Sequence, residues 1–306
     1  MRCLVTGASG HLGSCLVRRL LRDGHAVTAM VRRESNLWRL QEVRSQLQLI
    51  YGDLATLDSL GGATPEVVFH LAWFGVTSQY RDDPRQINWN LRGTIQLLRL
   101  AQAAGCRCWV GLGSQAEYGL ARGILHEDLP TQPVTLYGAA KLSAGILTRQ
   151  MCRLAGTRYG WLRLLATYGP QDDEQHLIPK VIRQLLNRER PALTAGEQRW
   201  DYLFVEDAAE ALCRVAFTPQ VDGVFNLGSG EAHQVRRIVE QIRDQIDTRL
   251  PLGFGELPEQ VQQLEADITR LKTATGWAPR VPLAAGLQQT ITWFRDHHNS
   301  AIIRSE

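Results

Sequence analysis

Short apolar runs alternate with amphipathic stretches over about the first two-thirds of the chain. Such runs are typical of strands buried in a parallel sheet, and apolar positions three and four residues apart are typical of helices packed on it. The predicted strands are Cys3–Thr6, Ala26–Val31, Leu47–Tyr51, Val67–Leu71, Cys108–Leu112, Trp161–Leu165 and Gly223–Leu227. The predicted helices include Leu12–Arg22, Asn88–Ala104 and Tyr137–Ala155. The pattern indicates an α/β fold with a doubly wound parallel sheet.

This alternation changes after about residue 170. Residues 171–200 are predicted as mixed helix and loop, Trp200–Phe204 as a strand, and Asp207–Phe217 as a helix. The remainder is predicted as mostly helix and loop. We therefore predict a nucleotide-binding domain over residues 1–170, with 200–228 returning to it. A smaller, interleaved C-terminal substrate-binding lobe would comprise 171–199 and 229–306.

The composition excludes several classes of protein. The 306 residues are 44% hydrophobic and 21% charged, as in ordinary globular proteins. No apolar run is long enough for a membrane helix, and the N-terminus is predicted as a strand and not as a signal peptide. The net charge of +3 comes from dispersed arginines, so no nucleic-acid or membrane partner is expected. We expect a cytoplasmic protein.

The six cysteines do not follow the spacing of a metal or redox site. Only Cys106 and Cys108 are close in sequence, and a separation of two residues fits neither a zinc knuckle nor a redox pair. We predict reduced thiols and no metal site.

A glycine-rich turn follows the first predicted strand. In this turn, glycines 7, 10 and 13 allow a tight bend, close approach of the backbone to a pyrophosphate, and packing of helix on strand. The helix start offers N–H groups to phosphate. The alternative is a glycine turn without a ligand, but its place in the first strand–turn–helix unit favours a Rossmann dinucleotide site. The predicted contacts are Gly7, Ser9, Gly10, His11, Leu12 and Gly13.

The residues after the second and third strands bear on the choice of cofactor. Arg32 stands where an acidic residue would hold the ribose hydroxyls of NAD, and an arginine suits the extra phosphate of NADP. We therefore predict NADP(H) in preference to NAD. Arg33 is interpreted as a solvated helix cap. Asp53 is placed to bind the adenine, although it can equally cap a helix.

Three residues form a candidate catalytic group. Tyr137 and Lys141 are four residues apart on a predicted helix, so they share a face, and a nearby ammonium is expected to lower the pKa of the phenol. Ser114 follows a central strand, at the edge where such sheets bind ligands. Its hydroxyl can polarise a carbonyl beside the tyrosine. A surface contact between Tyr137 and Lys141 is the alternative.

The chain resembles the extended short-chain dehydrogenase/reductases that act on nucleotide sugars. The segments that carry the resemblance are Thr6–Gly13, Gly52–Leu54, His70–Trp73, Asn90–Thr94, Gly113–Gly119, Glu127–Asp128, Tyr137–Lys141, Leu162–Leu164, Tyr168–Pro170, Trp200–Ala208, Phe225–Gly230, Asp267–Lys272 and Gly276–Pro279. The resemblance implies Ser114, Tyr137 and Lys141 as the catalytic triad and a nucleotide sugar bound by the C-terminal lobe. It also implies a homodimer formed through Asn88–Ala104 and Tyr137–Ala155. The further expected cofactor contacts are Leu54, Leu71, Ala72, Tyr137 and Lys141.

The residues after Ser114 distinguish reactions within this family. The similar 4,6-dehydratases carry an acidic pair there, whereas this chain has Gln115 and Ala116, which cannot transfer protons. Dehydration is therefore not expected. Glu117 is acidic but stands one place later, and the sequence gives it no role.

Reduction and epimerisation remain. Arg32 favours NADPH and reduction, and Trp73 and the segment Gly113–Gly119 resemble those of the family's 4-keto-6-deoxy-sugar reductases. The resemblance thus implies NADPH-dependent reduction of the C4 ketone of a nucleotide-linked 4-keto-6-deoxyhexose in deoxysugar biosynthesis. The alternative is a nucleotide-sugar 4-epimerase that keeps NAD(P) tightly bound. A reductase of another carbonyl compound and a non-enzymatic NADP-binding regulator are also open, but the intact Tyr137 and Lys141 disfavour the regulator.

Five residues are predicted to contact the substrate: Trp73, Gln115, Thr167, Arg199 and Asp201. For Thr167, Arg199 and Asp201, the alternative is an ordinary polar loop residue. His70, at a strand end, is interpreted as a structural residue.

Overall fold

The computed structural model describes residues 1–121, 123–258 and 263–297. Residue 122 of the predicted nucleotide-binding domain, and residues 259–262 and 298–306 of the predicted lobe, lie outside the described residues. The strands are β1 Arg2–Thr6, β2 Ala26–Val31, β3 Gln48–Tyr51, β4 Val67–His70, β5 Cys108–Ser114, β6 Gly123–Leu125, β7 Arg158–Leu164, β8 Thr167–Tyr168, β9 Ala192–Leu193, β10 Arg199–Asp201, β11 Leu203–Phe204, β12 Gly223–Leu227, β13 Ala232–Gln234, β14 Gly253–Phe254 and β15 Gln263–Ala266.

Helices alternate with the strands of the first half, as the sequence predicted. The α-helices are α1 His11–Arg22, α2 Arg92–Ala103, α3 Leu136–Ala155, α4 Leu177–Leu186, α5 Val205–Phe217, α6 Val235–Ile246, α7 Thr269–Thr275 and α8 Leu283–Asp296. Shorter helical turns of tighter or wider pitch cover Trp38–Gln46, Ser78–Tyr80, Gln86–Leu91 and Gln115–Tyr118.

The main sheet has seven parallel strands in the order β12-β7-β5-β4-β1-β2-β3. Alternate residues of each strand point to opposite faces. In β1, Cys3 and Val5 pack with the buried residues of α1 and α5, whereas Leu4 packs with those of α2 and α3. Both faces are therefore covered, and the predicted α/β fold with a large parallel sheet is confirmed.

A second hydrophobic core lies outside this sheet. It is built from α4, α6 and α8, whose buried residues include Ile182, Ile238 and Ile291. A four-stranded sheet in the order β13-β10-β15-β6 lies in the same part of the fold. Between α4 and α6 the chain returns to the main sheet, where β12 pairs with β7 and forms one edge of the sheet.

Several predicted boundaries were wrong. The predicted strand Trp200–Phe204 is two strands, since β10 joins the four-stranded sheet and β11 pairs with β8. The predicted helix Asn88–Ala104 starts as a π-helical turn at Gln86–Leu91, whose buried Asn90 bonds the backbone of Phe74. The C-terminal region predicted as helix and loop also contains β13, β14 and β15.

All six cysteines are buried free thiols, as predicted. Burial raises the pKa of each, to about 11 for Cys106 and about 12 for the others, so these thiols are protonated at neutral pH. Among the described residues, no helix combines the length and the apolar character needed to cross a membrane.

Candidate active site

The glycine turn between β1 and α1 leaves no room for side chains. Gly7 has a φ of +68°, and a Cβ there would lie 2.7 Å from the amide nitrogen of Ala72. A Cβ on Gly13 would lie 2.0 Å from the carbonyl oxygen of Gly7. Helix α1 begins after Gly10 with no side-chain cap and no acidic residue in its first turn. Its first N–H groups therefore suit an anion, and the turn fits the pyrophosphate of a dinucleotide.

A cleft of about 350 Å³ opens beside this turn. Its wall is formed by the ends of β1 and β2 and by the segments that follow β1, β2, β3 and β4. The expected cofactor and substrate residues found on that wall are Gly7, Ser9, Gly10, Arg32, Asp53, Leu54, Leu71, Ala72 and Trp73. Five expected cofactor contacts are not on the wall: His11, Leu12 and Gly13 lie within the first turn of α1, and Tyr137 and Lys141 lie in the first two turns of α3.

The residues expected to determine the choice of cofactor follow β2 and β3. Arg32 lines the cleft, and 53% of its side chain is exposed. The guanidinium of Arg33 lies 5.4 Å from the ring centroid of Tyr51, so it packs on an aromatic face. Asp53 lines the cleft and also accepts a hydrogen bond from the N–H of Ala55 at 2.8 Å. Both interpretations of Asp53 are therefore compatible with the structure.

The three expected catalytic residues meet where β5 ends and α3 begins. Ser114 is the last residue of β5, and Tyr137 and Lys141 occupy the first two turns of α3. Their relative exposures are 8%, 8% and 3%. The Ser114 hydroxyl lies close enough to the Tyr137 phenol to act on the pKa of that phenol. The fold thus places a hydroxyl, a phenol and an amine together at the carboxyl edge of the sheet.

Trp73 connects this group to the cleft. The Nζ of Lys141 lies 3.8 Å from the centroid of the Trp73 ring and donates a hydrogen bond to the carbonyl oxygen of Leu112 at 2.6 Å. The rings of Trp73 and Tyr137 meet edge to face with centroids 6.3 Å apart. The indole N–H donates to Gln86 at 2.8 Å, which fixes the ring. Burial lowers the pKa of Lys141 to about 7.

The expectation that Lys141 lowers the pKa of Tyr137 is wrong for this structure. Burial raises the pKa of Tyr137, and the groups that oppose it are the hydroxyl of Ser114 and the guanidinium of Arg81. Arg81 lies 5.6 Å from the ring centroid of Tyr137, and its carbonyl oxygen accepts the N–H of Tyr137 at 2.7 Å. Sequence reasoning missed Arg81, because it is 56 residues away in a loop.

Glu117, which the sequence left without a role, is buried beside Ser114. Its carboxylate accepts hydrogen bonds from the N–H of Ser114 at 2.9 Å, from the indole of Trp161 at 3.0 Å, and from Arg163 at 2.8 Å. The Oγ of Ser114 in turn accepts the N–H of Ala116. These bonds form a capping box, and the pattern of serine followed three residues later by glutamate was the available signal.

His70 has the structural role that the sequence interpretation gave it. Its Nδ1 is 2.9 Å from the hydroxyl of Thr6, and its Nε2 is 2.8 Å from the hydroxyl of Thr94. It is 2% exposed, and burial lowers its pKa to about 3, with the charge of Lys141 contributing. A neutral His70 therefore ties β1 and β4 to α2.

The segment after β8 is attached to the start of α1 through one buried carboxylate. Asp172 lies 3.1 Å from Nδ1 of His11 and 2.9 Å from Nδ1 of His176. Burial works to raise the pKa of Asp172, but His11 and His176 outweigh it and hold that pKa well below its ordinary 3.8. The hydrogen bond to Asp172 raises the pKa of His176 above its ordinary 6.5.

Replacing Asp172 with asparagine should reduce stability most in mildly acidic solution, by about 1–2 kcal/mol. The contribution of His176 is complete below pH 6.5 and is lost as the pH rises through its raised pKa. The contribution of Asp172 is present above pH 3.8 and is lost as the pH falls through its lowered pKa. Chemical unfolding of both proteins from pH 4 to 9 measures the difference. An equal gap at all pH values would contradict this ion-pair account.

A comparison with models of known protein families shows to which family the chain belongs. A model described as "NAD dependent epimerase/dehydratase family" matches residues 3–228, which include the glycine turn and the group around Tyr137. The chain belongs to this family. The expected resemblance is therefore confirmed at the family level.

Several relatives of this chain are similar to it over nearly its whole length. The UDP-glucose 4-epimerase of Mycolicibacterium smegmatis is 30% identical, covering 97% of this chain and 99% of the relative. The UDP-N-acetylglucosamine 4-epimerase of Methanobrevibacter ruminantium, solved with UDP-N-acetylmuramic acid, has a TM-score of 0.88 at 26% identity, covering 97% and 98% of the two chains. MoeE5, solved with UDP-glucose and NAD, has a TM-score of 0.86 at 29% identity, covering 98% and 100%.

In this member of the epimerase/dehydratase family, the carboxylate of Asp201 is bonded within the protein and is not available to a substrate. It is fully buried, and its oxygens accept hydrogen bonds from the N–H and hydroxyl of Ser229, the N–H of Gly230 and the N–H of Ala266. Burial raises its pKa, and these bonds oppose the rise. The expected contact is therefore corrected: Asp201 joins β10 to β15 and to the turn after β12.

The other expected substrate residues are spread over three elements. Gln115, 8% exposed, begins the helical turn after Ser114. Thr167 lies in β8, which pairs with β11. Arg199 lies in β10, and its guanidinium bonds the carbonyl oxygen of Ala232 in the neighbouring strand.

Proposed function

We propose that this protein interconverts the C4 configurations of a nucleotide-linked sugar, as a 4-epimerase with a bound nicotinamide dinucleotide. The observation that carries the proposal is the meeting of Ser114, Tyr137 and Lys141 beside a cleft that fits a dinucleotide. Relatives named 4-epimerases over nearly the full length of the chain support it. MoeE5, solved with NAD, supports the cofactor class.

The residues of this chain have separate tasks in such a reaction. The bound nicotinamide supplies hydride transfer at the sugar carbon. Tyr137 takes the proton of the C4 hydroxyl when the alcohol is oxidised and returns it when the ketone is reduced. Ser114 donates a hydrogen bond to the same oxygen and stabilises the charge that develops there. Lys141 holds the ribose of the dinucleotide, and Trp73 fixes the position of the amine.

Reduction of a 4-keto-6-deoxyhexose with NADPH is the second candidate, and one observation favours it. Arg32 lines the cleft where an acidic residue would favour NAD, and its side chain remains about half exposed although Glu34 lies 3.3 Å away. A guanidinium there suits the extra phosphate of NADP. A dehydratase is disfavoured as a third candidate, since Gln115 and Ala116 carry no proton-transferring group.

We infer that the nucleotide sugar lies between the main sheet and the second core. Residues 171–199 and 229–306 would form the lobe that holds it, with 1–170 and 200–228 holding the dinucleotide. Trp73, Gln115, Thr167 and Arg199 remain the proposed sugar-nucleotide contacts, because they lie on the elements nearest that boundary.

Product analysis separates the two candidates. The purified protein is incubated with UDP-glucose and, separately, with a nucleotide 4-keto-6-deoxyhexose plus NADPH or NADH. Interconversion of UDP-glucose and UDP-galactose without net change in nicotinamide absorbance supports the epimerase. Substrate-dependent loss of NADPH absorbance, faster than loss of NADH, supports the reductase and the assignment of Arg32. If neither change is observed with any of these substrates, both candidates are contradicted.

A homodimer is a further proposal. The outer face of α3 exposes three large apolar side chains, Ile146, Leu147 and Leu154, at 60%, 42% and 72%. An exposed apolar stripe on a helix is a suitable surface for a second copy. Sedimentation analysis should then give twice the mass of 34.3 kDa, and a monomer at micromolar concentration would contradict the proposal.

A further inference from the structure

The carboxylate of Glu117 is the most connected buried group near Ser114 that the proposed chemistry does not use. It is 1% exposed and accepts three N–H groups, one each from Ser114, Trp161 and Arg163. A buried carboxylate is retained at a cost in desolvation, which paired and hydrogen-bonded partners offset. Its partners here come from β5 and from β7, so the carboxylate joins two central strands at their catalytic ends.

Three glycines make this arrangement possible by leaving space for the indole of Trp161. A Cβ would lie 2.4 Å from the indole at Gly111, 2.3 Å from its nitrogen at Gly113, and 3.0 Å from it at Gly145. Gly145 is on α3, one turn beyond Lys141. The indole is therefore packed directly between β5 and the helix that carries Tyr137 and Lys141, and its N–H is directed to Glu117.

We propose that Glu117 is a positioning residue, which sets Ser114 through its backbone N–H and sets the catalytic helix through the indole of Trp161. This inference rests on the proposed function, in which Ser114, Tyr137 and Lys141 act on one sugar oxygen. The hydrogen bond from Arg163 keeps the carboxylate oriented toward both partners. Displacement of a catalytic group by about 1 Å costs on the order of a hundredfold in rate, so such a link has a measurable effect.

The charge of Glu117 also acts on the catalytic pair. It opposes the effect of burial on Lys141, whose pKa is about 7, and it adds to the effect of burial on Tyr137. Removing the negative charge therefore lowers the pKa of both groups. Among the described residues, the other charged or titratable groups that face these three residues are Arg163 and Tyr159 of β7, Arg81 of the loop after β4, His70 of β4, and Tyr118.

Lysine titration by NMR tests the electrostatic part without any substrate. The chain has three lysines, Lys141, Lys180 and Lys272, so protein labelled with ¹³C at lysine Cε gives three signals, which Lys141→Arg assigns. In Glu117→Gln, which keeps the size of the side chain, the Lys141 midpoint should move about one pH unit lower. Glu210→Gln removes another buried, ion-paired carboxylate, in α5, and should leave that midpoint unchanged.

Kinetics test the positional part. Glu117→Gln should lower kcat about tenfold to a hundredfold, with KM within about threefold of wild type and the pH profile displaced to lower pH. Trp161→Phe keeps the charge and loses the N–H, so kcat should fall without a displaced profile. The Glu210→Gln control should lose thermal stability and keep kcat.

The outcomes separate this inference from the proposed function. A kcat in Glu117→Gln within twofold of wild type, or a fall matched by Glu210→Gln, would overturn the positioning role. An unmoved Lys141 midpoint in Glu117→Gln would overturn the electrostatic part. If the wild type converts neither substrate, the proposed function fails, and the lysine titration still decides whether Glu117 acts on Lys141. If Glu117→Gln does not fold, the positioning role is tested with Trp161→Phe instead. An unchanged kcat in that variant would then overturn the role.

Discussion

Replacing Tyr137 with phenylalanine is expected to lower kcat about 10³-fold, the scale of a lost general acid and base. The phenol is the proposed proton-transferring group, which the fold places beside Ser114, and phenylalanine keeps the ring that packs against Trp73. The backbone N–H of Tyr137 still bonds Arg81, so the start of α3 keeps its position. Steady-state turnover, with either candidate substrate that the wild type converts, measures the loss.

Tyr168→Phe is the matched control for this substitution. It also removes a buried hydroxyl, which here bonds the carbonyl oxygen of Leu283 in the second core, away from the catalytic group. Its kcat should stay within about threefold of wild type, with a loss of about 1 kcal/mol in stability. If folded Tyr137→Phe kept more than a tenth of wild-type kcat, Tyr137 would not be the proton-transferring group.

The parallel sheet could be predicted because its strands carry a local signal. Each predicted strand is a short apolar run bounded by turn residues, and burial on both faces makes such runs nearly continuous. The glycine turn was equally readable, because the spacing of its glycines after the first strand is a local pattern and Gly13 packs on the backbone of Gly7. The close contact of Gly7 with Leu71 and Ala72, after β4, adds a constraint that only the fold shows. The placement of Tyr137 and Lys141 on successive turns of one helix follows from their spacing alone.

The features that the sequence did not predict depend on distant partners. Arg81 approaches Tyr137, and Trp161 approaches Glu117, only after the strands have been placed in order. The break between β10 and β11 lies outside any local pattern, because each half pairs with a different sheet. Asp201 looked like a polar loop residue, although its four donors come from turns and strands 28 to 65 residues away.

The sequence also could not separate epimerase from reductase, for a physical reason. Both reactions need the same serine, tyrosine and lysine, and they differ in which face of the sugar meets the nicotinamide and in whether the dinucleotide leaves. These properties depend on the shape of the whole cleft and on its affinity. A single residue such as Arg32 contributes to that affinity through a half-exposed side chain, whose effect is screened by solvent.

Replacing Gly13 with alanine is expected to weaken dinucleotide binding at least about tenfold and to lower stability by about 1–3 kcal/mol. The added Cβ would lie 2.0 Å from the carbonyl oxygen of Gly7 and 2.8 Å from its carbonyl carbon. Both are backbone atoms, so relief requires moving either the turn or α1. Either movement displaces the N–H groups expected to hold the pyrophosphate. Titration of NADH and NADPH fluorescence with the purified variant measures the change.

Gly24→Ala separates loss of binding from loss of stability. Gly24 has a φ of +78°, so alanine is strained there, but no atom lies within 4 Å of the added Cβ and the residue is not on the wall of the cleft. This variant should lose about 1 kcal/mol of stability and bind the dinucleotide as the wild type does. If Gly13→Ala bound the dinucleotide with unchanged affinity, the turn between β1 and α1 would not be the pyrophosphate site. The cofactor assignment would then depend on the other expected contacts on the wall of the cleft, among them Arg32 and Asp53.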